Sequence, residues 1–105
     1  MAKQNTALLN KTFASDEKGG IMFNFYTADY DSGAVTGSMH WAGQKNNMYP
    51  LTSAWFRWED NPPNSASLTF SCEGDVYNLR SDDRTFNILY GTVNGGAVTL
   101  RKLHP

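Results

Sequence analysis

A chain of 105 residues with 40% hydrophobic and 18% charged residues has the length and composition of one folded domain, 1–105, and carries too little charge for disorder. A net charge of −1 excludes partners that demand a basic surface, so neither nucleic acid nor an anionic membrane is expected. The single cysteine, Cys72, excludes a disulfide scaffold. With neither a signal-like apolar run at the N-terminus nor ~20 consecutive apolar residues, the chain reads as cytoplasmic, or as secreted after loss of a signal.

The first segment, Ala7–Phe13, is ambiguous between a strand and one helical turn. Polar residues from Ser15 to Gly20 form a loop before a strand over Ile21–Thr27, where Ile21, Phe23 and Phe25 share one face and Met22, Asn24 and Tyr26 the other. Asp29-Tyr30-Asp31-Ser32-Gly33 is a tight turn. The next strand, Ala34–Ala42, is interrupted by Gly37, the mark of a bend or a close backbone approach. Gly43–Asn47 is a polar loop, and Leu51–Glu59 is a strand with Trp55 on one face and Phe56 and Trp58 on the other. After the Pro62-Pro63 break, Ala66–Cys72 alternates cleanly, with Ala66, Leu68, Phe70 and Cys72 inward and Ser67, Thr69 and Ser71 outward. Strands over Val76–Arg80, Thr85–Gly91 and Ala97–Leu103 follow, the last two joined by Asn94-Gly95, a type I′ hairpin signal. Leu68, Phe70, Ile88 and Leu100 are the expected core. The fold class is all-β: a small antiparallel barrel of seven or eight strands, because closure protects the sheet edges, with a two-sheet sandwich as the alternative.

Catalytic, metal and cofactor chemistry finds no support. His104 lies beside the C-terminus, His40 reads as a half-exposed strand residue, and Cys72 continues an apolar face as a small buried hydrophobe. The alternating carboxylates of Asp29 and Asp31 lack the distal glutamate of a calcium loop, and Asp82-Asp83 reads as a turn. Neither an enzyme nor a cofactor is expected.

What stands out is the aromatic content: three tryptophans, five tyrosines and six phenylalanines, more rings than a core of this size hides. Rings on both faces of Leu51–Glu59 imply a second covered face, which a subunit interface, a ligand cavity or a binding surface would supply. Trp41, Tyr49, Trp55 and Trp58 sit in or beside two neighbouring strands, with Asn46, Asn47, Gln44 and Arg57 as nearby polar groups. Rings for stacking beside amides for hydroxyls suit a carbohydrate or small heterocycle. The expectation is therefore a non-catalytic binding module for a small molecule or glycan, homo-oligomeric, with Trp58 on the binding surface and Trp55 packed inward. A protein-interaction module, such as an inhibitor or immunity-type protein, and a structural subunit are the alternatives.

Gly33-Ala34-Val35-Thr36-Gly37 followed by Tyr49-Pro50-Leu51-Thr52 resembles the second- and third-strand signatures of the avidin and streptavidin family of biotin-binding barrels, over residues 21 to 72. The resemblance implies an oligomeric antiparallel barrel. It does not extend to biotin: nothing in Met1–Phe13 matches the family's opening Gly-x-Trp-Tyr-Asn strand, Met39 stands where a biotin-contacting tyrosine is usual, and Thr85–Gly91 and Ala97–Leu103 contain no tryptophan.

Overall fold

The computed structural model describes residues 3–15, 20–41, 43, 47–60 and 63–103. Among them run nine strands: β1 (Lys11–Ser15), β2 (Ile21–Ala28), β3 (Val35–Trp41), β4 (Tyr49–Pro50), β5 (Thr52–Glu59), β6 (Ser65–Cys72), β7 (Asp75–Ser81), β8 (Ile88–Val93) and β9 (Gly96–Lys102). All pair antiparallel, in the order β4-β3-β2-β1-β9-β8-β7-β6-β5, and the sheet curls into a nearly closed barrel. The all-β barrel is as expected; the strand number is nine, not seven or eight. The added strand is β4, separated from β5 by Leu51 alone. Tyr49–Pro50 pairs with β3 and Thr52–Glu59 pairs with β6, so one stretch of chain serves both sides of the seam. The seam is joined further along by a bridge between Ala34 and Trp55 and by the Phe56 N–H donating to the Gly33 carbonyl at 2.8 Å. Gly33 lies at φ +83°, and a side chain there would collide with the Phe56 carbonyl oxygen, so the closure depends on glycine.

Both readings of the first segment hold in succession. Asn5 accepts the amides of Leu8 and Leu9 through its carbonyl and that of Ala7 through its side chain, making one helical turn; the strand begins at Lys11. This turn drives Leu8 into the barrel core, at the end where β2 finishes; the neighbouring Asn5 and Tyr30 amides donate to the Ala28 and Lys3 carbonyls. Phe86 and Trp58 pack together at the same end. In the Asp29–Gly33 turn, the Asp29 carboxylate accepts the Asp31 and Ser32 amides.

The interior is filled by rings. Phe13 and Phe25 meet edge to face at 5.4 Å, and Phe70 and Tyr77 stack at 4.8 Å. Each such pair adds about 0.5–1.5 kcal/mol beyond its buried area. The inward set of β6, Ala66, Leu68, Phe70 and Cys72, is buried as expected, and so is Leu100. Ile88 is a correction: it is 46% exposed, and Leu89 is buried in its stead. The cause is a turn ahead of β8. Asp83 accepts the Thr85 amide and hydroxyl, the Thr85 hydroxyl oxygen accepts the Asn87 amide, and Phe86 takes φ +57°. The strand therefore starts at Ile88 and not Thr85, with its phase moved by one residue. His40, read as half-exposed, is buried on the outer face of β3, its Nδ1 accepting from Asn24 Nδ2 at 2.9 Å. No helix among the described residues is long and apolar enough to cross a membrane.

Candidate functional site

The residues singled out by sequence fall in three places. Trp55 and Arg57 stand on the outer wall of β5–β8. Trp41 and Tyr49 line the open end of the barrel. Trp58 packs inward against Phe56, Phe86 and Tyr30 at the other end. Asn47 is exposed just ahead of β4, and Asn46 and Gln44 lie outside the described residues.

The orientation of β5 is the reverse of that expected: Trp55 is 39% exposed and Trp58 belongs to the periphery of the core. A β-bulge explains it. Thr52 pairs with Ser71 and Trp55 with Thr69, so β5 carries one extra residue over that span, with Ser53 at φ +49°. Leu51 faces inward before the bulge; after it the inward positions are Phe56 and Trp58. Among the described residues the indole N–H of Trp58 has no hydrogen-bond partner, and the Arg84 guanidinium lies 4.8 Å above its ring.

On the outer wall, Trp55 and Tyr90 flank a trough of about 560 Å³. The strand registers align Trp55, Thr69 and Asn78 in one row, and Arg57, Ser67, Arg80 and Tyr90 in the next. Ser67, Thr69 and Asn78 thus stand between the two rings, with Arg80 beside Tyr90 and Gly91 also lining the trough. Arg57 and Ser67 both donate to Glu59 Oε1 at 3.1 Å, and these bonds hold the Glu59 carboxyl below the usual carboxylate range. The Arg57 guanidinium also lies 5.8 Å from the Trp55 ring centre. Tyr90 donates its hydroxyl to Asp82, which orients the ring and raises its pKa.

The open end of the barrel holds a second concavity, of about 450 Å³, between Trp41, Tyr49 and Tyr77, with Met39, Ile21 and Cys72 at its apolar surface and Glu73 and Asp75 at its border. Burial pushes the Tyr77 phenol up to about 12, with the Asp75 carboxylate acting in the same direction. Burial also raises the Cys72 thiol, assisted by Glu73 and Asp75.

Comparison with protein-family models, with curated proteins and with solved structures finds no match to this chain.

Sequence reading finds Trp55 and Arg57 of the trough but misses Glu59, Asn78, Arg80 and Tyr90. The alternation of β6 does place Ser67 and Thr69 outward, a direct pointer to a polar strip beside Trp55. Tyr90 carries no such signal, because the phase of β8 depends on the turn at Phe86. Tyr77, Glu73 and Asp75 are missed because they lie more than twenty residues from Tyr49 and meet it only across the barrel mouth.

Proposed function

We propose that this chain is a non-catalytic binding module whose β5–β8 outer wall receives an oligosaccharide. The observation that carries the reading is the make-up of the trough: two exposed rings with short hydroxyl and amide side chains between them. A ring covers the apolar face of a sugar, while hydroxyls and amides exchange hydrogen bonds with its hydroxyl groups. Three inter-strand spacings of about 4.8 Å put β5 and β8 about 14 Å apart across the sheet, and Tyr90 stands one row further along than Trp55, so the two rings span the reach of an oligosaccharide and not of one sugar. Arg57, Glu59 and Arg80 lie within the trough. The centre of a permanent subunit seam is depleted in such charges, which favours a sugar over a second copy of the chain or a protein partner.

Titrating soluble polysaccharides and an oligosaccharide panel against the intact protein, read by tryptophan fluorescence, tests this. Saturable binding is expected. Trp55→Ala should weaken it at least about tenfold, a loss of about 1.4 kcal/mol, with the thermal midpoint unchanged. Trp58→Ala is the contrast, expected to cost about 2 kcal/mol or more of stability. A panel with no ligand, or binding that survives Trp55→Ala, overturns the reading. A concentration-dependent mass that Trp55→Ala reduces to the monomer's would identify the wall as a homo-oligomer seam instead.

A further inference from the structure

We infer that the open end of the barrel is a separate binding site for a small organic cation, of the quaternary or alkylated ammonium class. Three rings from three different strands, Trp41, Tyr49 and Tyr77, border one concavity there, together with the polarizable thioether of Met39. Ring faces carry negative quadrupolar charge and attract cations whose surface is apolar. Glu73 and Asp75 add two carboxylates to the same border, and no lysine, arginine or histidine is among the described residues that line it. Their field reaches the floor: both carboxylates act to raise the Cys72 thiol, and Asp75 the Tyr77 phenol. An anion is repelled by this arrangement, and a neutral apolar ligand leaves the carboxylates unused. A bare metal ion is disfavoured too, because no three acidic, cysteine or histidine side chains among the described residues are grouped to ligate one. A cation with methyl groups around its charge uses the rings and the carboxylates together.

The site is also held in shape. Tyr77 is stacked on Phe70 and lies edge-on to Phe23, so its ring is fixed from below. Asp75 accepts from Asn94 Nδ2 at 2.7 Å, which anchors one of the two carboxylates from the neighbouring hairpin.

The test uses choline and its uncharged carbon isostere, 3,3-dimethyl-1-butanol, titrated into the isotopically labelled intact protein and followed by amide and indole NMR shifts. Choline should give saturable shifts at Met39, Trp41 and Glu73–Tyr77, and the isostere should bind at least about tenfold more weakly. Trp41→Ala should weaken choline about tenfold. So should the double variant Glu73→Gln/Asp75→Asn, which removes the charge while leaving an acceptor for Asn94. Equal affinity for choline and the isostere overturns the inference. So do shifts that never saturate, or shifts centred on Trp55 and Tyr90. Retained choline binding in the folded double variant overturns it as well.

Discussion

Tyr77 shows how one buried side chain ties the barrel's stability to pH. Its phenol is neutral in the folded chain until about pH 12, whereas in the unfolded chain it ionises near its ordinary value of 10. Below pH 10 both states hold the proton and the contribution is intact. Between pH 10 and about 12 the unfolded chain loses a proton that the folded chain keeps, so stability falls as pH rises. A two-unit difference corresponds to roughly 2–3 kcal/mol. Urea midpoints measured across this window should fall more steeply for the native chain than for Tyr77→Phe, which keeps the ring stacked on Phe70 and retains only the smaller losses from the raised Cys72 thiol and Tyr90 phenol. Parallel curves for the two proteins would show that the phenol is not what titrates. At the same scale, Trp55 and Trp58 differ by three positions and have opposite fates: one a solvent-facing plate beside Arg57, the other packed under Arg84.

Strands β7 and β8 approach each other so closely that a side chain at Gly91 would overlap the Asn78 carbonyl oxygen and crowd the Leu79 backbone. Gly91→Ala should therefore push the pair apart and cost about 1–3 kcal/mol, measured as a drop in the denaturation midpoint. An unchanged midpoint would mean that the two strands slide without loss. How far each element was legible in the sequence follows from the same backbone details. β2 and β6 alternate without interruption over their inward residues, so the pattern alone puts Ile21, Phe23 and Phe25 on one face and turns Ala66, Leu68, Phe70 and Cys72 inward, and all of these are buried. The Asn94-Gly95 turn is legible too, because both residue types accept positive φ, and both adopt it. The phases of β5 and β8 are not legible. Each is set by a single left-handed residue, Ser53 in one and Phe86 just ahead of the other, and neither residue type advertises that conformation. A one-residue slip of phase sends every side chain to the opposite face, which is why Trp55, Trp58 and Ile88 are all misread while the strands carrying them are found. The site divides for the same reason: nearness in sequence groups Trp41, Tyr49, Trp55 and Trp58, and the curvature of the sheet distributes them among the mouth, the wall and the plugged end.

Across the whole molecule, the pairing order is a simple meander with one exception. Every neighbouring pair of full strands is adjacent in the chain except β1 and β9, which join residues 13–15 to residues 100–102. Among the described residues, the remaining closure at the β4–β5 seam rests, beyond β4, on the Ala34–Trp55 bridge with its Phe56-to-Gly33 backbone hydrogen bond. This geometry has a kinetic consequence. Hairpins of adjacent strands close short loops at small entropic cost, whereas joining β1 to β9 must bring together almost the full length of the chain. The ring is therefore expected to close after the rate-limiting barrier, on a curved sheet already built from β5 to β9. Phe13→Leu should then chiefly accelerate unfolding, with a φ-value below about 0.3, while Phe70→Leu chiefly slows folding. Equal φ-values at the two sites would mean that the ends meet before the barrier. In the expected order, the sheet exposes β1 and β9 as two free edges of complementary register before it closes, and at high concentration those edges can be satisfied by another molecule instead of by each other, making strand exchange the characteristic misfolding hazard of this barrel.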